Sequence, residues 1–554
     1  MPIATMPPYT RTIPDPTWTT AGNIVETFII DPSGVAVDIF GSASTMSNDG
    51  RTIAIGASGD NSFTGAVHVY TFQIDGSWAL QQKIISSEPV ADYDYYGGFG
   101  QDGIALSNNG DIMCIPNATK DDGQTNAGTV YIWVRDANGV WTEEQIIDTA
   151  GTQAYYGRFG KSVSLSGDGR TLCIGHPFVD TNGRTNNGEA EIWTRSGTTW
   201  TVEDTIEDPN WETDAKFGYN VSLSRDGNVA AIGAYGHTLY TGATTFTTST
   251  GDVNKDIVYT SAYTGFFNKI PSKNIRIIYT VAGTSTPLTV GTNDLGTGFF
   301  EITVNIETDS GGLGISTAAE IKTAVDAHAT APSYVTTAQA GTGAGVITAN
   351  LSGYLTSGAT YYSHVGGVNI FTRSGTTWTF QQKVQPGVSG VYQYGGWPCE
   401  VSDDGKTLIM SVPYDDTGTG GNNSGAVYLY SESGGTWTLD EKITPSDSQG
   451  GDAFGLLQVS LSANGNTAVI GSHLYDGGAG QVYIWTRSGT NWTEKQIILP
   501  SDGAAFNNDR FGRVQAAGSM SGDGYSFITA APYNDIGAAS NQGAVYIYNY
   551  PVGT

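Results

Sequence analysis

The chain has 554 residues, 53 of them acidic and 25 basic, for a formal net charge of −28, and it is rich in Gly (75), Tyr (30) and Trp (12). Such a balance opposes binding to DNA, RNA or anionic membrane surfaces, whose phosphates it would repel. Its cysteines, Cys114, Cys173 and Cys399, are too few and too scattered for a disulfide framework, and no apolar run is long enough to cross a bilayer.

In chain order, residues 1–17 form a Pro- and Thr-rich stretch without the apolar core of a secretory signal. They read as an extended arm, either a free terminus or one that docks on a neighbouring subunit. Phe-Gly then recurs at Phe40, Phe99, Phe159, Phe217, Phe454 and Phe511, with Gly395-Gly396 in the corresponding place of the fifth copy. The steps are 59, 60, 58, 178, 59 and 57 residues, so a period near 60 carries one insertion of about 120 residues in its fourth copy.

The third copy, residues 159–206, shows the unit plainly. An alternating run with Val163 and Leu165 meets the turn Ser166-Gly167-Asp168-Gly169, and a second run, 171–174, ends at Gly175-His176-Pro177. A polar loop leads to 189–194, then the tight turn Arg195-Ser196-Gly197, then 200–206. Period-two alternation bounded by Gly, Asn, Asp and Ser predicts four short strands, and Asp-Gly or Asn-Gly supplies the positive φ of the first hairpin. Cys114 and Cys173 fall at equivalent places in second strands, where small buried side chains suffice. One such sheet cannot bury both faces, so each unit reads as a blade of a propeller.

The seventh copy runs out after its third strand, and residues 23–30 resemble 492–498, the fourth strand of the sixth copy. The expectation is therefore a mainly β, seven-bladed propeller closed by the N-terminal strand, which removes the open edge. Residues 18–240 and 364–554 form it, and 241–363 form an inserted domain between the second and third strands of blade four. The inserted stretch predicts strands at 256–259, 275–281 and 300–306, a helix at 317–328, and strands at 334–338 and 345–349, a small α+β domain projecting from one rim. Ser316 or Thr317 can cap the helix, whose apolar stripe is Ala318, Ile321, Ala324 and Val325.

Phe-Gly, then Ile-Gly-Ala or a variant such as Ala530-Ala531-Pro532, then Gly-Ala-Val-Tyr-Ile-Tyr at 543–548, resembles the FG-GAP repeats of the integrin-α type propeller. The resemblance covers everything except arm and insertion, and it implies fold rather than activity. Many blades of that family carry an Asp-x-Asp-x-Asp-Gly calcium loop after the first strand. Here the loop is a four-residue hairpin with too few carboxylates for calcium. In the insertion, Asp256-Ile257-Val258-Tyr259-Thr260, Asn274 to Tyr279, the helix sequence 316–325 and Gly343-Ala344 resemble a module of tailed-phage structural proteins. That resemblance implies a virion protein assembled in host cytoplasm and later exposed outside cells.

The tryptophans opening the fourth strands, Trp78, Trp141, Trp200, Trp378, Trp437 and Trp492, recur once per blade and read as packing, as do Trp133, Trp193 and Trp485. The loops entering each Phe-Gly are aromatic without being periodic: Tyr93, Tyr95 and Tyr96; Tyr155 and Tyr156; Trp211; Tyr392, Tyr394 and Trp397. They are the candidate ligand-binding residues, suited to sugar stacking or a protein hot spot, against packing on neighbouring blades. Acids recur after the second strand, and Asp121, Asp122, Asp180, Asp415 and Asp416 are the candidate cation ligands (calcium the ion considered), against turn-forming Asp. The histidines have no ligand spacing, and no nucleophile elbow, P-loop or Cys-His arrangement appears, so no catalytic residue or other cofactor is assigned.

The expected function is that of a non-enzymatic virion structural protein of a tailed phage, in the tail or on the capsid surface. Its partners would be other virion proteins in an oligomeric assembly and a host surface glycan or receptor, with neither nucleic acid nor membrane insertion. A cellular adhesin or lectin is the alternative, and a glycan-cleaving enzyme the third reading.

Overall fold

The computed structural model describes residues 25–31, 35–88, 102–121, 124–149, 156–181, 183–210, 212–241, 245–247, 257–261, 275–281, 283–294, 300–329, 331, 335–339, 342, 344, 346–347, 351–354, 360–387, 392–416, 420–500, 508–514, 519–536 and 540–549. Predicted candidates Tyr93, Tyr95, Tyr96, Asp122, Tyr155 and Trp211, and the arm, lie outside these residues.

The repeat folds as its turn chemistry dictates. In the third sheet Val163–Leu165, Thr171–His176, Glu189–Ser196 and Thr199–Glu207 pair antiparallel in chain order. In the first hairpin Ser166 Oγ donates to Asp168 Oδ1 (2.7 Å) and accepts from the Thr171 N–H (2.9 Å), so the turn satisfies its own backbone. Five further four-stranded sheets of the same order span 40–84, 105–147, 217–384, 399–443 and 459–498. In all six a β-bulge interrupts the third and fourth strands, at Ile192/Trp193 in the third sheet, which adds twist at the same point each time. A seventh sheet holds Ser526–Ala531, Ala544–Asn549 and Val25–Ile30, and Val25 pairs with Asn549 at the start of an antiparallel register.

Packing between sheets is side chain on side chain. Cys114, Ile132 and Phe159 share one buried cluster with Leu172, Trp193 and Trp200, and six further clusters join other sheet pairs. One of these joins Phe40, Ile53 and Ile55 of the first sheet to Ile528, Val545 and Ile547 of the last. The innermost strands have edges facing one another, and their donors are met by short polar side chains of the preceding sheet. Val221 N–H donates to Ser162 Oγ (3.1 Å), Leu223 N–H to Ser164 Oγ (2.9 Å), and Val401 N–H to Ser222 Oγ (3.0 Å). These sheets make a β-propeller. A cavity of about 100 Å³ lies between innermost strands, lined by Thr45, Leu106, Val163, Ser222, Val401, Leu461 and Met520 among others.

The signature glycines are contacts between sheets. Gly188 sits at φ +82°, and a Cβ there would lie 2.2 Å from the Phe217 carbonyl oxygen of the next sheet. The tryptophans are packing residues, as their periodicity predicts. Gln145 of the third strand's neighbour sheet accepts from the Trp200 N–H (2.8 Å) and donates to its carbonyl (3.1 Å), and Gln82 clasps Trp141 in the same way. All three cysteines are buried and free.

Between Ala234 and Val368, the second and third strands of the fourth sheet, the chain leaves and returns through the paired strands Leu239–Thr241 and Thr360–Tyr362. It contains one three-stranded sheet, Thr245–Thr247, Ile257–Ser261 and Val335–Gln339. A second sheet joins Thr289–Asp294, Phe300–Asn305, Ile275–Thr280 and Leu351–Tyr354, with the middle two parallel. The helix Ala318–Ala327 starts at Thr317, not Ser316, through a capping box with Glu320, and buries Ala318, Ile321 and Val325. These elements share a buried cluster of their own, centred on Ile277, Ile302 and Ile321. Of the strand expected at 345–349, only Val346 and Ile347 are described, with Val346 bridging Thr317, and a strand is seen at Leu351–Tyr354. Thr245–Thr247 and Thr289–Asp294, rich in Thr and Gly, lacked the apolar alternation that would have marked them.

Candidate functional site

Among the described residues, the loops entering a Phe-Gly are pinned to the loop before the third strand of the preceding sheet. Tyr156 and Arg158 donate their N–H groups to the carbonyls of Thr125 (2.8 Å) and Asn126 (3.0 Å). Asp214 and Lys216 do so to Thr185 and Asn186, and Tyr392 and Tyr394 to Ser363 and His364. All six donors have positive φ, between 53° and 62°. A left-handed backbone at non-glycine residues costs free energy, and its recurrence here shows a scaffold device that the paired hydrogen bonds hold in place. The loops thereby fix their side chains on one rim.

On that rim the aromatic rings of the third, fourth and fifth sheets join. Phe178 lies 6.2 Å edge-on to Tyr219, and Tyr219 lies 4.6 Å from Tyr235 and 5.2 Å from Trp397. Tyr235 is nearly parallel to Trp397 (31°, 5.5 Å) and meets Tyr394 at 5.4 Å. Tyr394 continues to Tyr414 (5.5 Å) and His364 (5.9 Å), and His364 stacks on Tyr392 (5.1 Å, 25°). Edge-to-face geometry at these distances is favourable for each pair. Burial, with Tyr219 and Tyr394 beside it, holds the Tyr235 hydroxyl above the usual tyrosine range. Burial and the Lys216 ammonium hold His364 below the usual histidine range, so it stacks as a neutral ring.

The predicted residues therefore divide. Tyr392 and Tyr156 are exposed (52 % and 46 %), whereas Tyr394 and Trp397 are half-buried and pack on neighbouring sheets. Tyr219, Tyr235, Tyr414, Phe178 and His364 belong to the same network and were missed. A signal existed: Phe178, Tyr235, Tyr414 and Tyr533 all stand just past a second strand, and Tyr219 and Trp397 directly follow a Phe-Gly or its Gly-Gly counterpart. Read singly, each looks like turn filling.

The acids have backbone duties. Asp121, Asp180 and Asp416 each accept through Oδ1 from the N–H of Asn126, Asn186 and Asn423 (2.8, 2.8 and 2.7 Å), bracing the loop that receives the entry segment. Asp415 is buried and pairs with Lys442 Nζ (2.8 Å) and the Tyr428 hydroxyl (3.0 Å). They stand on separate sheets or carry separate partners, and none falls in a gathered ligand set among the described residues. Asp31, Asp60 and His68 do gather, all buried, but Lys83 Nζ already lies 2.5 Å from Asp60 Oδ2, where a cation's charge would go. A second buried polar cluster roots the long segment in the fourth sheet. There His237 Nε2 lies 3.1 Å from Asp208 Oδ1, and burial pushes the Lys383 ammonium down to about 8 despite Glu212 and Asp208.

Residues 437–485 match the FG-GAP repeat family, in accord with the propeller built here. Comparison with curated sequences finds no match. Solved structures of the same general architecture are similar at low identity. The C-terminal WD40 domain of Sif2 has 11% identity and a TM-score of 0.41, over 96% of this chain and 100% of that one. The Pseudomonas aeruginosa periplasmic gluconolactonase PpgL has 13% identity and a TM-score of 0.33, over 82% and 94%. A provisional 6-phosphogluconolactonase from Bacteroides uniformis has 10% identity and a TM-score of 0.42, over 83% and 85%. At such scores nothing about their activities carries over.

Proposed function

We propose that this chain is a non-enzymatic structural protein of a tailed-phage virion, in the tail or on the capsid surface, whose propeller rim attaches to a host surface glycan or receptor. In this reading the seven sheets are seven blades closed into a ring, with Val25–Ile30 as the outer strand of the last and residues 241–363 as an inserted domain. Supporting the ring are the pairing of Val25–Ile30 with Ala544–Asn549 and the buried cluster common to first and last sheets. Supporting the virion assignment is the sequence resemblance of the insertion to a phage structural module.

The observation that carries the attachment reading is the aromatic network from Phe178 to Tyr392. A scaffold needs one set of residues per blade, whereas this network, among the described residues, joins rings of the third, fourth and fifth sheets and ends at the exposed ring of Tyr392. Rigid aromatic rings beside hydrogen-bonding groups suit sugar or receptor hot spots. Glycan-array binding should fall about tenfold in Tyr392→Ala, consistent with loss of one stacked ring at about 1–1.5 kcal/mol. Its side chain is mostly exposed, so the fold loses little beyond the stack on His364. Binding that Tyr392→Ala and Tyr156→Ala both leave unchanged would remove the rim from the reading. Imaging of the chain in its native particle tests the virion assignment directly.

A further inference from the structure

We propose that the rim ligand is an acidic glycan, its carboxylates met by cations that the repeat places beside the aromatic rings; this rests on the attachment reading above. The residue immediately before Phe-Gly is Arg158 in the third sheet, Lys216 in the fourth and Arg510 in the seventh. Each lies over a ring just past the second strand of its own sheet. Arg158 is 5.6 Å from Phe178, Lys216 Nζ is 5.2 Å from Tyr235, and Arg510 is 5.4 Å from Tyr533. The fifth sheet carries two aromatic rings at these places, Tyr394 and Tyr414. The same position thus carries charge at three sheets, and at the third and fourth the ring beneath it belongs to the aromatic network.

Charge complementarity points to the ligand's class. The chain holds 25 basic residues against 53 acidic ones, so carboxylate partners are plentiful. Arg135, Arg195, Arg373 and Arg487 each have one, on Asp111, Glu144, Glu203 and Asp440. Arg158 and Arg510 form no ion pair among the described residues, their guanidinium faces lying on rings instead. Stacking on a ring leaves a guanidinium's in-plane N–H groups pointing outward, where they can fork onto a carboxylate; in Arg510 the Nε–H already donates to Asn508 Oδ1 (3.2 Å), and the terminal N–H groups make the fork. Lys216 is partly countered by Asp214 at 3.6 Å. Sugar rings bearing carboxylates satisfy both features, stacking on Tyr392 or Tyr394 and pairing with the cations. A nucleic acid would offer the same two chemistries, and single-stranded DNA is therefore an arm of the test.

The test uses the full chain and a panel of carboxylated polysaccharides (polygalacturonate, hyaluronan, polysialate) beside their methyl-esterified forms, with single-stranded DNA as another polyanion. At least one carboxylated polymer should bind at least about tenfold tighter than its neutral ester and weaken as salt is raised. Arg158→Gln and Arg510→Gln should each weaken it about three- to tenfold with the melting temperature unchanged. Equal binding of acid and ester overturns the proposal, as does DNA binding of equal strength or the absence of any carboxylated ligand. A neutral glycan that binds through Tyr392 would sink this inference alone. Loss of all glycan and receptor binding would sink the attachment reading with it. Because the ester arm uses the unaltered protein, a variant that fails to fold leaves the test intact.

Discussion

Gly188→Ala and Gly197→Ala make the same chemical change at two glycines of similar φ, +82° and +64°, yet only one should be severe. At Gly197, in the exposed hairpin between the third and fourth strands, an added Cβ meets nothing within 4 Å. Its cost is the left-handed backbone alone, about 1–2 kcal/mol. At Gly188 the same Cβ would lie 2.2 Å from the Phe217 oxygen, 2.7 Å from the Phe217 nitrogen and 2.9 Å from the Pro177 oxygen. Those atoms belong to backbone on two sides, so no side chain can swing away. The neighbouring sheet must retreat by about an ångström, and overpacking of that kind adds about 1–3 kcal/mol to the backbone term. The total is about 2–5 kcal/mol, against about 1–2 at Gly197. Urea unfolding followed by tryptophan fluorescence reads the difference, because Trp378 shares the affected interface with Phe217. Equal midpoints for the two variants would refute the claim that the signature glycine is an inter-sheet contact.

Two further outcomes follow from the same packing. Gln145→Ala should cost about 1–3 kcal/mol, since it strips one donor and one acceptor from the Trp200 backbone; thermal denaturation beside the exposed control Thr199→Ala measures it. His473 should make the fold acid-sensitive: burial, with Arg513 and Arg510 nearby, lowers it from 6.5 to about 3. The folded state therefore binds fewer protons than the unfolded chain between those values. Stability is full above about pH 6.5 and declines as pH falls towards 3, by at most about 1.4 kcal/mol per unit from this group. His473→Gln should flatten that decline in pH-dependent urea unfolding, and an unchanged slope would exclude His473 as its source.

Much of the propeller is legible without coordinates, and the reason is local. Ser-x-Asp-Gly closes a hairpin through its own side chains, so Ser166, Asp168 and Gly169 announce a turn wherever they recur. The helix expected at 317–328 was legible from a nearby cap residue and the stripe Ala318, Ile321, Ala324 and Val325, a pattern contained within three turns of chain. Thr289–Asp294 was not, because its neighbours across the sheet, rather than its own alternation, make it a strand.

The site divides along the same line. Sequence determined that Tyr392 and Tyr156 stand in entry loops, since the period places those loops, and that the cations before Phe-Gly recur. It could not determine that Tyr219, Tyr235, Tyr394, Trp397 and Tyr414 meet, because their contacts cross from sheet to sheet over separations of up to 178 residues, a distance set by packing angle and by the 239–362 excursion. Nor could it tell a cation ligand from a loop brace. Asp180 is the same residue in either role, and only the structure shows that its Oδ1 lies 2.8 Å from the Asn186 N–H and braces the loop. A turn is written in adjacent residues; a rim is made by sheets that the chain brings side by side.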